Sequence, residues 1–319
     1  AHFVDTAGLR CRWELLVDGD VVERGELHVS PIGPGRSASV RVPFARRLLK
    51  GGAEAFVTVR WSERRSRPWA PAGHVVATEQ FEVPIDAATA SSGSSRRRLA
   101  AGTAVRAEPP VELVWTPTLT RALTDNDAIQ TSWMRPYSER LNRWDELGVL
   151  DAEWVPGPER RRSRSGAKVV TSSGSLVPSG SAPTVSVQRR ELVGSPDGWG
   201  HLAVTLTLPP ELADVPRVGI TTVLPGTFES LEWYGDGPGE SYSDRCSSVT
   251  KGRWRSTVWD QYVSYAFPQE HGHHTGLRWL ALRETGTRSA LLVVADGRLG
   301  FSARHHSDAD LFAAVVPRG

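Results

Sequence analysis

The stretch Leu9-Arg10-Cys11-Arg12-Trp13-Glu14-Leu15-Leu16-Val17-Asp18-Gly19-Asp20-Val21-Val22 decides how the chain is read. Leu9, Cys11, Trp13, Leu15 and Val17 alternate with Arg10, Arg12, Glu14 and Leu16. Successive side chains of a strand point to opposite faces, so this spacing gives a strand with one apolar face. Asp18-Gly19 is a tight-turn pair, since both central positions tolerate positive φ, and Val21-Val22 resumes a strand. The same period of two returns at Ala38, Val40, Val42 and Phe44, and again at Ala55, Val57, Val59 and Trp61. Short strands at this spacing, separated by turn residues, predict a small antiparallel sandwich of immunoglobulin type over residues 1–86.

Outward from that unit the composition changes. Ala90-Ser91-Ser92-Gly93-Ser94-Ser95 followed by Arg96-Arg97-Arg98 carries almost no apolar periodicity, so residues 87–110 read as a flexible linker. The three arginines read as solvated charge rather than as a nucleic-acid or membrane patch. Beyond them, 111–319 is again mostly β. Leu202, Val204, Leu206 and Leu208 alternate, Arg278 to Leu282 forms a strand, and Ala290 to Ala295 is a continuous apolar run that Asp296-Gly297 turns into Arg298–Ser302. One short helix is expected where Tyr137, Leu141, Trp144 and Leu147 share a face ahead of Gly148. The polar tract Arg160 to Pro183 reads as a mobile loop. The chain is therefore expected to be all-β, with two sandwich-like units and one short helix. A catalytic α/β barrel of about 250 residues does not fit in it.

Composition limits the partners. With 319 residues, 39% apolar and 23% charged, the chain is globular and long enough for about two domains at the usual ~150 residues each. The 38 basic and 36 acidic residues nearly cancel, which leaves no strong net field for nucleic acid. Lysine occurs only at 50, 168 and 251, so 35 of the 38 basic residues are arginine, scattered rather than gathered in a stripe. No run approaches the roughly 18 apolar residues of a membrane helix. The lack of a signal pattern carries no information about compartment; a cytoplasmic setting is the expectation. A chain that opens Ala1-His2-Phe3 is expected to continue something longer. Cys11 and Cys246 are too few for a disulfide framework and read as two buried thiols.

Several groups invite chemistry. Paired acids suggest glycoside cleavage, but Asp125-Asn126-Asp127 also suits a turn cap. Glu232 and Glu240 flank Trp233-Tyr234-Gly235-Asp236-Gly237-Pro238-Gly239, either a plain strand-to-strand loop or an aromatic lip beside a sugar. Glu270-His271-Gly272-His273-His274 and His305-His306 with Asp308 match no zinc spacing, and solvated histidines in a polar loop are expected there. No GxSxG, P-loop or GxGxxG stands in a strand–helix context.

Leu231-Glu232-Trp233-Tyr234-Gly235-Asp236-Gly237-Pro238-Gly239-Glu240-Ser241-Tyr242-Ser243-Asp244-Arg245 resembles the "WxGxGPxExYxDR" segment of the large family 2 β-galactosidases. Tyr265-Ala266-Phe267-Pro268-Gln269-Glu270-His271-Gly272 is similar to their "YxxPQENG" segment and is followed by Arg278-Trp279-Leu280-Ala281-Leu282. Thr124-Asp125-Asn126-Asp127 resembles the "PTDND" that opens their small-chain domain. The N-terminal unit, through Trp13-Glu14-Leu15, Asp18-Gly19, Gly73-His74 and Gln80-Phe81, resembles the second immunoglobulin-like domain of these enzymes.

The resemblance implies an immunoglobulin-like sandwich followed by a larger antiparallel, galactose mutarotase-like supersandwich, incomplete at both ends. The family enzyme is a retaining glycosidase whose two glutamates, and whose magnesium and sodium ligands, sit on a barrel upstream of this region. The resemblance thus assigns this chain no catalytic residue, no metal ligand and no cofactor of its own. It implies a catalytic barrel in cis or a large subunit in trans as partner, a β-galactoside as substrate of the whole, and homo-oligomer contacts. The loop matching Gly237, Pro238, Gly239, Glu240, Tyr242, Asp244 and Arg245 would border the active-site mouth and gate it, with the glycines easing backbone change and Glu240 holding one position. A sandwich short of its end strands would expose sheet edges. The rival readings are a stand-alone carbohydrate-binding or interaction module, and a nonfunctional truncated relic.

Overall fold

The computed structural model describes residues 4–50, 54–85, 113–127, 138–164, 167–193 and 200–315. They fall into two compact units. The first takes in Ala1–Thr103, Glu229–Gln261 and Gly272–Ala303; the second takes in Ala104–Phe228, Tyr262–His271 and Arg304–Gly319. The linker read over 87–110 and Tyr137 of the helical face lie outside the described residues.

In the first unit, β1 (Leu9–Val17), β2 (Asp20–Leu27), β3 (Ala55–Glu63) and β4 (Val75–Glu82) form an antiparallel sheet in the order β2-β1-β3-β4. The alternation in β1 works as expected: Cys11, Trp13, Leu15 and Val17 are buried in one cluster with Leu27, Ala55 and Val57. The second period-two run, Ala38 to Phe44, forms no strand. Val42 and Phe44 still pack against the core while Ala38 and Val40 are exposed. Their alternation serves to cover the sheet, and the nearby Ala45 N–H is satisfied by Glu23 Oε2 at 2.8 Å instead of by a ladder.

A second sheet of the same unit runs β12 (Thr250–Thr257), β11 (Phe228–Gly237), β14 (Trp279–Glu284), β15 (Ala290–Val294). Asp296-Gly297 does end β15, but the chain does not fold back onto it. Instead β16 (Phe301–Ser302) pairs with β13 (His273–His274).

In the second unit, β5 (Thr116–Thr118) pairs with β10 (Gly219–Thr221). A four-stranded meander follows the order β6 (Glu153–Arg164), β7 (Ala167–Val177), β8 (Val185–Val193), β9 (His201–Thr207). The expectation of a mobile loop over Arg160–Pro183 is therefore wrong, since most of it is the paired β6 and β7. Thr171 faces Arg160 and Arg190, and Val170 faces Arg161 and Glu191. Backbone pairing on both sides of β7 satisfies its N–H and C=O groups whatever the side chains are, and a face lined by Ser, Thr and Arg hides the apolar alternation by which strands are recognised.

The expected helix is α1 (Glu139–Leu147). Ser138 Oγ accepts from Leu141 N at 3.3 Å to cap its start, and Gly148 closes its end in the left-handed region at φ 70°. Leu141 and Trp144 sink into a core with Leu176, Val185, Val187 and Leu212. A second helix, α2 (Asp308–Val315), was not foreseen. Its signal was present: Ser307 Oγ accepts from Asp310 N at 3.1 Å while Asp310 Oδ2 accepts from Ser307 N at 2.8 Å, a reciprocal cap of the S-x-x-D kind.

Candidate functional site

The loop that follows β11 is rooted by a strand buried almost throughout. From Leu231 to Gly237 every residue is buried, because β11 is central in its sheet and covered on both faces. Gly237 is required by close approach: a Cβ there would come within 2.6 Å of the Trp254 ring, whose Nε1 donates to Gly235 O at 3.2 Å. The Gly237–Pro238 peptide is cis, and Pro238 and Gly239 stand exposed at the tip.

Beyond the tip the chain is tied down again. Tyr242 and Arg245 bridge to each other through both backbone N–H groups, at 3.2 and 3.0 Å, with Asp244 exposed in the turn between them. The Arg245 guanidinium lies 5.5 Å from the Tyr242 ring centre. Glu240 divides its two oxygens. Oε1 accepts from Arg245 Nη2, and Oε2 accepts from the Gly272 backbone N–H at 2.8 Å. All seven loop residues named from the sequence thus fall on one continuous segment.

Other residues hold the loop in place, and sequence reading did not find them. Ser241, wholly buried, donates its N–H to His273 O at 2.7 Å and accepts at Oγ from Thr275 N at 2.9 Å. Thr275 Oγ1 donates to Asp236 Oδ2 at 2.7 Å, and Lys251 pairs with the other oxygen of Asp236. Tyr242 packs against His273, whose Nδ1 meets Ser302 Oγ at 3.0 Å. These partners come from segments up to about sixty positions away, and nothing local marks them.

His305 and His306 are exposed as expected, but the histidines of the 270–274 stretch are not solvated. His271 and His274 are among the most deeply buried side chains of the protein. The His274 ring lies 4.5 Å from Trp233 and stacks on Phe301 at 5.2 Å, with Nε2 at 2.6 Å from Gln261 Oε1. Burial lowers its pKa to about 4, so it is neutral at physiological pH. Among the described residues no group of three or more His, Cys, Asp or Glu side chains could hold a metal. Cys11 is buried, but Cys246, just past the loop, is exposed rather than buried.

The acids are engaged in charge pairs. Burial would push the Glu232 carboxyl up, but Arg253 Nε at 2.6 Å and Arg255 Nε at 3.0 Å outweigh it and hold it below the ordinary carboxylate range. A general acid needs the opposite shift. Asp127 caps its own turn, accepting from Thr124 N and Oγ1 at 2.9 Å each and from Arg121 at 2.7 Å. Glu270, fully buried, is held between Arg217 at 2.7 Å and Arg304 at 2.8 Å.

Residues 78–318 match the family model described as Beta galactosidase small chain, and residues 1–84 match that for Beta-galactosidase, domain 4. The chain belongs to the β-galactosidase small-chain family. Curated relatives agree in name. A Beta-galactosidase of Arthrobacter sp. (strain B7) is 26% identical over 329 residues, covering 89% of this chain and 30% of that protein. Beta-galactosidase 2 of Enterobacter cloacae is 26% identical over 299 residues, with shares of 85% and 28%. The Beta-galactosidase of Aeromonas hydrophila subsp. hydrophila is 25% identical over 322 residues, with shares of 88% and 30%. The chain therefore spans about 30% of the length of the curated relatives it matches. No helix among the described residues is long and apolar enough to cross a membrane.

Proposed function

We propose that this chain is the C-terminal, non-catalytic part of a cytoplasmic β-galactosidase and that it shapes and gates the mouth of the active site. The observation that carries the reading is the form of the 237–245 loop. Its tip is exposed, while its root is fixed by buried β11 and its far end by Ser241 and by the divided carboxylate of Glu240. Rigid anchors around a short glycine-bearing tip suit a segment that exchanges between two positions. Glu240 is the natural latch, because releasing either the Arg245 guanidinium or the Gly272 N–H frees the tip without disturbing the sheet.

Hydrolysis with retention needs two carboxylates about 5 Å apart, one attacking the anomeric carbon and the other protonating the leaving oxygen. In this reading they belong to a barrel supplied in cis or by a large subunit in trans, together with magnesium and sodium, and the sandwich surfaces also support homo-oligomer contacts. The test is complementation. The chain alone should leave a chromogenic β-galactoside intact, and supplying the barrel-bearing portion should restore turnover. Glu240→Ala in the restored enzyme should raise KM several-fold while changing kcat less. Turnover by the isolated chain, or an unchanged KM in the variant, would defeat the reading. Galactoside affinity in the isolated chain would favour a stand-alone binding module.

A further inference from the structure

The face of the first sheet opposite its apolar core carries a hollow of about 420 Å³ lined by four arginines and two glutamates. The strand registers fix their arrangement. Arg12 on β1 lies directly between Arg60 on β3 and Glu26 on β2, and Glu14 lies opposite Arg24. Directly opposed residues of an antiparallel pair have Cβ atoms about 4.5–5.5 Å apart, and opposed like charges destabilise the pair. Arg12 facing Arg60 is such a pair, and diagonal neighbours such as Arg12 and Arg24 stand roughly 7–8 Å apart.

The two acids neutralise only part of this charge. Arg60 Nη1 is bound by Glu14 Oε2 at 2.5 Å, and Arg10 Nε stands 3.4 Å from Glu26 Oε1. The Arg10 Nε–H is shielded from solvent yet makes no hydrogen bond. Arg12 and Arg24 each stand opposite an acid, Glu26 and Glu14, yet neither makes an ion pair within 4 Å among the described residues, because those acids are drawn to Arg10 and Arg60. Two guanidiniums outside any ion pair, one like-charge opposition and one shielded donor without a hydrogen bond therefore converge on a single concavity of four arginines and two glutamates. Its volume lies within the range of ordinary small-molecule sites, about 300–1,000 Å³. Guanidinium presents paired N–H donors in a planar fork that matches the oxygens of phosphate or carboxylate.

We propose that this hollow is an oxyanion-binding site for a small molecule bearing two phosphate or carboxylate groups, one held by Arg12 and the other by Arg24. It uses none of the loop residues discussed above and does not depend on the gating role. The bound anion would sit between the opposed Arg12 and Arg60 and relieve their repulsion, so binding should also stabilise the fold.

Calorimetric titration of the chain at low ionic strength tests this, using inorganic pyrophosphate and succinate as probes. Saturable 1:1 binding of either probe supports the site, and the tighter one identifies whether phosphate or carboxylate is the natural group. Arg12→Gln and Arg24→Gln, both on exposed side chains, should each weaken binding at least tenfold. Arg12→Lys, which keeps the charge but not the fork, should weaken it nearly as much. Arg298→Gln, which does not line the hollow and is already paired with Asp296, should leave it unchanged. Absence of saturation with both probes, or equal binding by the Arg12 and Arg24 variants and the unsubstituted chain, would overturn the proposal. So would an equal loss in Arg298→Gln, because it would mark diffuse charge attraction.

Discussion

Strands β11 and β6 are built to opposite plans. β11 is central in its sheet and buried from Leu231 to Gly237, with Trp233, Tyr234 and four glycine or acidic positions all enclosed. β6 is an edge strand whose far half, Glu159 to Ser163, is wholly exposed. Side chains fix β11, through apolar contact and the few hydrogen bonds that buried polar atoms require. Backbone pairing with β7 fixes β6, and its side chains are free to be arginine. The contrast shows where a loop can be anchored, since a root of the first kind is fixed by close-packed side chains as well as by its ladder.

The contrast can be broken most severely at Trp233. Its indole is buried against His274 and Phe301 and donates Nε1–H to Asp236 O at 3.0 Å. Trp233→Ala should cost about 3–5 kcal/mol, as large-to-small core changes do, and a urea titration would read the loss directly. A cost below 1 kcal/mol would mean that β11 is not the rigid root described here.

Acid acts on the same packing through His274. Its folded pKa of about 4 lies below the ordinary 6.5, so the unfolded chain takes up the proton first as pH falls. Stability attributable to this group is then complete above about pH 6.5, declines between 6.5 and 4, and is fully lost below 4, amounting to about 3 kcal/mol. In His274→Phe the denaturation midpoint should lose that part of its slope across this window, while the slope from other groups remains.

The second unit offers a smaller effect. Gly148 has φ 70°, and a Cβ there would lie 1.9 Å from the Gly180 backbone nitrogen. Gly148→Ala combines left-handed strain with a backbone clash, and a loss of about 2 kcal/mol is expected by analogy with strained backbone positions. Thermal unfolding would measure it, and a neutral result would show that the 148–180 contact yields easily. Smallest of all is β6 itself. Arg162→Thr should change stability by no more than about 0.5 kcal/mol, as exposed sites usually do. The β7 amides it pairs with should nonetheless exchange slowly with deuterium. Rapid exchange over Val169–Leu176 would restore the loop reading.

How much was legible follows the same division. β1 announced itself because Cys11, Trp13, Leu15 and Val17 face a core, and α1 because Leu141 and Trp144 do. β6 and β7 did not, because pairing leaves no mark on side-chain polarity. The 237–245 loop could be located from its motif, but its holders Thr275, Lys251 and His273 could not, since each is defined by a partner on another segment. The histidines misled for the same reason: His271 and His274 look polar in sequence and are buried in the fold.

The amino-acid sequence by itself determined the all-β class, the first helix and the family to which the chain belongs, because period, cap and motif are local properties of neighbouring residues. Only the tertiary structure decided which acids are neutralised, which histidines are buried and which strand covers which. Those outcomes depend on electrostatic and packing partners brought together from distant positions, and distance along the chain carries no information about them.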